Sequence, residues 1–570
     1  MSTPDVDEEA AEASESEAAE TGTTGSAPGG EATATRAGAR EGRRGGVVKD
    51  YHAKVWDEPL IMEMGNEGRR GIAFPESESE VRDSVGTAAD YVPDEVARQE
   101  DPDLPEVSEP WVLRHYVHLA QETLGFTNIS PWGTCTMKYA PKLNEVLEKR
   151  HTAPLHPKQD EETLQGILQI VHELDEYLQE LSGMDKFVFQ AASGTQSSFV
   201  FTSVLRKYLE DRGELGQRDE VITTLYSHAC LPATADVSGF DVITLQPGEN
   251  GYPTTEALEE AVSDRTAALM MVNPNDLGIY NPNVDEWVDI VHDAGGLCFY
   301  DQANFNSTMG ISRARDVGFD ASHYMLHKTF GNPKGGLGPA AGAFGCREEL
   351  AEYLPKPVVT HDESADSYHL DYDRPKSVGK IREFWGNVPL MLKAWMWIRS
   401  MGGEGITEAS HLSVLGNNYL EKLLEDVPGL SKSVENMTKR RMEMTRYSWG
   451  ELADDTGVGT FDIRRRLTDY GIDAYWTSHD PWTYDEPFTP EPGEMHSKEN
   501  IETYAEALRR IAEEAYDDPE SVKTAPHKQS ISRIDDHRIN EPDKWAMTWR
   551  AYVKKFGEPD GAGSEATSDD

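Results

Sequence analysis

The sequence predicts an α/β protein: a large domain on a mainly parallel sheet with helices on both faces, then a smaller α+β C-terminal domain. Three observations carry this. From Glu161 onward, apolar runs of strand length alternate with amphipathic runs of helix length, as in a sheet whose parallel strands are joined by crossover helices. Several strand runs end on polar residues, and open α/β sheets bind ligands at the carboxyl ends of their strands. At 570 residues the chain has length for two or three domains.

Residues 1–48 are rich in Glu, Ala, Ser, Thr and Gly with almost no large apolar groups, so they predict a disordered acidic tail. Residues 49–153 read as a loop-rich N-terminal arm. Within it Ser108 is a candidate N-cap and Pro110 sits in the first turn of a helix running through Arg114 and Tyr116. Such an arm is expected to wrap a neighbouring subunit. The turn from Pro131 to Asn144 is full of hydroxyls and donors, bracketed by Gly133 and Pro141, and suits either an anion or a plain loop.

The large domain is placed at 154–386. Leu164, Ile167, Leu168, Val171, Leu174 and Leu178 recur at helical spacing. The strand Phe187-Val188-Phe189 opens into small and hydroxyl residues from Gln190 to Ser198, with a helix expected from near Phe199. A strand-to-helix turn of that kind points backbone N–H groups at a phosphate. Further strands are expected at 221–224, 241–245 and 267–272, the last ending on Asn273-Pro274-Asn275, with helices through Leu258 and from Trp287 to Asp293. The strand 296–300 ends on Asp301, and the apolar run from Ser322 delivers His327 and Lys328 to its carboxyl end before a glycine-rich turn. The small domain, 387–556, begins with a helix carrying Leu390, Leu392, Ala394, Trp395 and Ile398. It continues with a strand at 459–463 and a helix at 497–515, and residues 557–570 form a second disordered tail.

A strand-end acid followed by a strand-end lysine suits a pyridoxal 5'-phosphate enzyme: the lysine forms the Schiff base and the acid keeps the pyridine nitrogen protonated. Taken alone, a lysine at a strand end is more often a solvated cap. Here Ser193/Thr195, His228, Asn273/Asn275, Asp301 and Lys328 all fall at strand ends, and the joint pattern is far more specific than its parts.

Composition narrows the partners. The formal net charge is −48, with 102 acidic against 54 basic residues, which repels nucleic acid and anionic lipid. The even spread of the surplus reads as adaptation to high salt, where ions screen the repulsion. The four cysteines are widely separated and predict neither a metal-ligand set nor a disulfide frame. No secretory signal and no apolar run of about 18 residues is evident, so a cytoplasmic location is expected.

The chain resembles subunit 2 of glycine dehydrogenase (decarboxylating), the P-protein of the glycine cleavage system, in the type divided over two chains. The resemblance rests on Gly68-Arg69-Arg70-Gly71, Leu104-Pro105-Glu106-Val107-Ser108-Glu109 with Arg114-His115-Tyr116, and Thr134-Cys135-Thr136-Met137-Lys138-Tyr139. It rests further on Asn273-Pro274-Asn275, Leu326-His327-Lys328-Thr329-Phe330, Gly386-Asn387 and the stretch from Glu494 to Lys498. It covers roughly Asp57 to Arg550. It implies a fold type I, aspartate-aminotransferase-like pyridoxal enzyme in a heterotetramer with a homologous subunit 1 chain, a small amino acid as substrate and lipoylated H-protein as acceptor. Lys328 is then the Schiff-base lysine, with Lys334 as the alternative. Asp301 pairs with the pyridinium and His228 stacks on the ring. Ser193, Gly194 and Thr195 hold the phosphate, Asn275 or Asn273 bonds the ring hydroxyl, and His327 bonds the phosphate or packs. Arg69, Arg70 and Arg382 are candidates for the substrate carboxylate, and the Gly335/Gly336 turn for a wall of the acceptor channel.

Four departures from the family pattern lie in or near this site. Ala192-Ser193-Gly194-Thr195-Gln196-Ser197 replaces Ala-Gly-Ala-His-Gly-Glu, and His228-Ala229-Cys230-Leu231-Pro232-Ala233-Thr234 replaces His-Gly-Thr-Asn-Pro-Ala-Ser. Gly331-Asn332-Pro333-Lys334 follows the lysine where the family has a Pro-His turn, and Tyr475-Trp476-Thr477-Ser478-His479-Asp480 replaces an apolar strand. The cofactor set is intact while substrate-facing positions change. A pyridoxal enzyme of the same fold acting on another amino acid (a decarboxylase, aminotransferase or lyase) is therefore the alternative, and a non-catalytic homologue the third reading.

Overall fold

The computed structural model describes residues 48–69, 71, 75–98, 104–124, 129–131, 140–156, 158–332, 340–435, 437, 440–534, 541–542 and 545–557. Residues 1–47 and 558–570 of the two expected tails, Arg70, most of the Pro131–Asn144 turn, Lys334 and the Gly335/Gly336 turn lie outside the described residues.

Seven strands build the main sheet: β1 (Lys186–Val188), β2 (Glu220–Thr224), β3 (Asp241–Leu245), β4 (Thr266–Val272), β5 (Leu297–Gln302), β6 (Ala321–Met325) and β7 (Gly342–Cys346). Their order is β1-β7-β6-β5-β4-β2-β3. Strand β7 runs antiparallel to both neighbours, and the remaining pairings are parallel. Every strand but β7 therefore points the same way, and the ends of β1, β2, β4, β5 and β6 share one edge. The central strands read as unbroken apolar runs because both faces of the sheet are covered.

Side chains alternate between those faces. Leu269, Met271, Cys298, Tyr300 and Tyr324 join one core, packed under the helices Gln165–Ser182 and Val284–Asp293. Ala268, Met270 and Phe299 join the other, under Gly194–Arg212 and Cys230–Val237. The helix Val388–Leu424 is broken at Gly402, whose φ of +64° suits glycine. Its first part, with Met391, Ala394 and Trp397, packs into the sheet core, while Leu420 and Leu424 belong to a separate core.

That second core gathers Trp449, Ile463, Leu467, Tyr475, Phe488, Tyr504 and Leu508 around the antiparallel strands Ser431–Lys432, Tyr447–Ser448 and Pro487–Phe488. The helix expected at 497–515 is Lys498–Asp517, capped by the Ser497 hydroxyl, which accepts from the Asn500 N–H. The strand expected at 459–463 is instead the start of a helix, Thr460–Thr468. The Asp462 carboxylate accepts from the Gly459 N–H at 3.2 Å, and Ile463 and Leu467 are both fully buried one turn apart. Capping and helical spacing thus override the strand preference of Thr, Phe and Ile.

In the arm, the helix Glu109–Gln121 starts after Ser108 with Pro110 in its first turn, although the Ser108 side chain makes no cap hydrogen bond. Trp111, Leu113 and Tyr116 on this helix are exposed. Among the described residues no helix is long and apolar enough to cross a membrane, and Cys230, Cys298 and Cys346 are free.

Candidate active site

The shared carboxyl edge of the sheet collects the expected residues. Asp301 is at the end of β5, while β6 stops at Met325. Lys328 is therefore in the turn beyond the strand rather than in it, its N–H donating to the Met325 carbonyl at 3.0 Å. The Lys328 side chain is buried. Gly331 closes that turn at a φ of +68°, and a Cβ there would collide with the Trp397 ring, so the residue that ends the lysine turn must be glycine.

The parallel register sets Asp301 opposite His323. His323 is fully buried, and its Nε2 lies 2.6 Å from Asp301 Oδ1. The Ala303 N–H donates to that same oxygen at 2.9 Å, so among the described residues Oδ2 accepts nothing. Burial pushes the Asp301 carboxyl up, but pairing with His323 and the Ala303 N–H outweigh it and hold the group well below the usual carboxylate range. Asp301 is thus a buried, charged acid with one unshared oxygen.

His228 follows β2. The Cys230 N–H donates to its Nδ1 at 3.0 Å, which places the ring proton on Nε2. Burial, then the fields of His479 and Lys328, lower its pKa to about 4. His327 is lowered to about 4 in the same way, by burial and then Lys328, with Nδ1 set against the Ala341 backbone. Two neutral imidazoles therefore stand within the field of the lysine.

The small residues after β1 form the first helical turn instead of preceding it: the helix is Gly194–Arg212, five residues earlier than expected at Phe199. Ser193 is its N-cap, its Oγ accepting from the Gln196 N–H at 3.1 Å. The Gly194 and Thr195 amides begin this helix and have no acceptor inside it. A Cβ on Gly194 would meet nothing nearer than Met325 Sδ at 3.8 Å. An open cradle of N–H groups at the start of a long helix is what an anion needs.

The asparagines serve their own loop. Asn273 Oδ1 accepts from the Asn281 N–H at 2.8 Å and its Nδ2 donates back to the Asn281 carbonyl at 3.2 Å. Asn275 Oδ1 accepts from the Leu277 and Ile279 N–H groups, and its Nδ2 donates to the Gly251 carbonyl at 2.7 Å. One amide hydrogen is all that Asn275 retains for a ligand. Of the arginines, Arg69 lies in the arm with its guanidinium 5.0 Å from the Trp111 ring, and Arg382 is exposed.

The structure adds residues that the sequence did not single out. His323 is one, and parallel registration of two runs of known direction is the signal that would have found it. From the second core, His479 packs edge-on against His228, ring centroids 4.6 Å apart, and its Nδ1 lies 2.7 Å from Asp276 Oδ2. The fully buried Glu491 accepts from Asn304 and Asn306 side chains at 2.8 and 2.7 Å. No local sequence pattern announces these contacts between distant segments.

The expected cofactor fits this edge. Its ring nitrogen needs an unshared carboxylate oxygen, which Asp301 Oδ2 supplies. Its phosphate suits the Ser193–Thr195 cradle, its carbonyl the Lys328 amine, and its ring face a neutral imidazole such as His228.

No family model matches the chain. It is 42% identical over 514 residues to probable glycine dehydrogenase (decarboxylating) subunit 2 of Pyrococcus horikoshii, covering 90% of this chain and 100% of that relative. The protein of the same name from Thermococcus gammatolerans is 42% identical, covering 88% and 98%. That from Caldanaerobacter subterraneus subsp. tengcongensis is 40% identical, covering 86% and 97%. Among solved structures, glycine decarboxylase (P-protein) of the glycine cleavage system in inhibitor-bound form superposes with a TM-score of 0.63 at 22% identity, over 77% of this chain and 99% of that one. A NifS-like protein superposes at 0.52 with 16% identity, over 68% and 100%.

Proposed function

Because the chain belongs to the family of glycine dehydrogenase (decarboxylating) subunit 2, we propose that it is a pyridoxal 5'-phosphate enzyme of glycine cleavage. It removes carbon dioxide from glycine and passes the aminomethyl group to lipoylated H-protein, with a homologous subunit 1 chain as partner. The observation that supports this best is the Asp301 carboxylate, kept charged by His323 with Oδ2 unshared, in the strand next to the Lys328 turn.

When bound, the cofactor supplies an electron sink for the pair released as the carboxylate leaves. Lys328 Nζ is the amine that would hold the cofactor through its carbonyl, and beside the bound substrate it would carry protons. Asp301 holds a proton at the ring nitrogen, which keeps the sink strong. His228, neutral and tethered through Nδ1, covers the ring without competing for the Lys328 charge. The Gly194 and Thr195 amides and the Ser193 cap fix the phosphate end. In the transfer, the C–C bond to the carboxylate breaks, the α-carbon bonds to one lipoyl sulfur, and the S–S bond opens to leave the other as a thiol.

The exposed Trp111, Leu113 and Tyr116 of the arm form the surface on which the partner chain is expected. The charge of −48 suits a cytoplasm rich in potassium salts. Glycine-dependent exchange of labelled bicarbonate, with partner chain and H-protein present, tests the proposal. Exchange is expected. Uptake of cofactor without exchange would favour the second reading, another amino acid as substrate, which the polar 475–480 segment beside His228 also suits.

A further inference from the structure

The segment Tyr475–Asp480 leaves the second core and reaches the carboxyl edge of the sheet. It is anchored before it arrives. The Tyr475 ring is fully buried in that core, with its hydroxyl donating to the Thr460 carbonyl at 2.6 Å. The Ser478 and Thr489 hydroxyls share a hydrogen bond at 2.9 Å. His479 follows directly, its ring meeting Trp476 at 5.6 Å and His228 at 4.6 Å between centroids, edge-on in both cases. Packing alone asks only for an apolar ring at such a place, in keeping with the apolar strand that this segment replaces.

His479 is instead tethered. Its Nδ1 lies 2.7 Å from Oδ2 of the buried Asp276, in the loop that follows β4. Burial pushes the Asp276 carboxyl up. Pairing with His479 and the field of Arg446, whose Nη2 is 3.7 Å from the same oxygen, outweigh it and hold the group below its usual range. An ionised acceptor puts a ring proton of His479 on Nδ1 and fixes the rotation of the ring. Asp276 and His228 follow β4 and β2, which are neighbours in the sheet, so the sheet supplies both the tether and the ring that His479 touches.

We infer that His479 is a positioning residue for His228: its bond to Asp276 locks its ring edge-on against His228 and so fixes the plane that His228 presents to the cofactor ring. The inference rests on the proposal that His228 covers that ring. His479 acts through His228 and is assigned no contact with the substrate. Its second effect is electrostatic. The charges that face His228 are His479, Lys328, Asp301 and Asp276. After burial, the field of His479 does most to keep a second proton off His228, with Lys328 adding to it and the two aspartates opposing. An apolar ring at 479 would give the contact without the field, and an amide would give the tether without the ring.

The test follows His228 in the cofactor-free protein by NMR of ¹³C-labelled histidine, its signal identified by its loss in His228→Gln. Wild type is compared with His479→Phe, which keeps the ring and loses the tether, and His479→Gln, which keeps a donor for Asp276 and loses the ring. His228 is expected to titrate near 4 in wild type and at higher pH in both variants. Pyridoxal 5'-phosphate, titrated by absorbance, is expected to bind each variant about 3- to 10-fold more weakly, the range set by one edge-to-face aromatic pair. A wild-type value of either quantity in either variant overturns the inference, even where that variant melts lower, because lost stability alone is what a packing residue would show. If His479→Phe does not fold, His479→Gln decides by the same two readings. A protein that takes up no cofactor sinks the proposed function instead, and the His228 midpoint of the unloaded protein then decides the role of His479.

Discussion

Strands β5 and β6 are bracketed by two buried aspartates, each beside a histidine, one at each edge of the sheet, and the two are finished differently. At the amino edge, Asp320 is fully buried and both its oxygens are engaged. Oδ2 accepts from the Cys298 N–H at 2.6 Å and lies 2.9 Å from His292 Nε2, while Oδ1 lies 2.6 Å from Arg347 Nη1. At the carboxyl edge, Asp301 puts both its contacts, His323 and Ala303, on Oδ1. The residue types are nearly the same. The amino-edge acid ties strands to their loops through a hydrogen-bonded oxygen and an ion-paired one; the carboxyl-edge acid keeps both contacts on one oxygen, which suits the proposed ligand.

That contrast can be broken from either side. The largest effect is expected at Lys328: Lys328→Ala should lower glycine-dependent bicarbonate exchange by about 10³-fold or more with little change in melting temperature, since one covalent anchor and proton carrier is lost. Retained exchange would reassign the lysine. Next in size, Asp320→Asn should destabilise the fold by about 3 kcal/mol in urea titration, because an amide NH₂ must face either Arg347 or the Cys298 N–H. Asp301→Asn should leave stability nearly intact, its Oδ1 still accepting from His323 and Ala303, while exchange falls steeply. If both aspartates behaved alike, the two edges would not differ in kind.

Acid gives a third comparison. His228 and His327 titrate near 4 when folded against an ordinary value of about 6.5. Between those values the unfolded chain binds more protons, so stability rises with pH through that window and is fully present above it. The cofactor-free protein should lose roughly 3 kcal/mol per histidine between pH 7 and pH 4, read as a falling urea midpoint. A flat profile would mean that neither imidazole is buried neutral. The smallest effect per contact is that of salt. Raising potassium chloride should increase the melting temperature by screening the acidic surface, and full stability in dilute buffer would argue against adaptation to salt.

Much of this was legible in the chain. Strands buried on both faces announce themselves as apolar runs, so β4 and β5 were found with their polar ends and hence Asp301. Lys328 and the small-residue turn at Ser193 were visible for the same reason. Strand β7, Gly342-Ala343-Phe344-Gly345-Cys346, was not, because Phe187 packs where a Cβ on Gly345 would stand and the segment lacks branched residues. Thr460–Ile463 misled because Thr, Phe and Ile favour strands one residue at a time, whereas the Asp462 carboxylate capping the Gly459 N–H and the i,i+4 burial of Ile463 with Leu467 set a helix. His479, Asp276 and Arg446 are separated by hundreds or tens of positions and meet only through the tertiary fold, so no spacing rule could join them.

Borohydride reduction of the cofactor-loaded protein, followed by peptide mass mapping, tests the carboxyl edge most directly. A single pyridoxyl adduct on the peptide containing Lys328, absent from Lys328→Ala, is the predicted result. An unmodified Lys328 peptide, or an adduct on another lysine, would contradict the account.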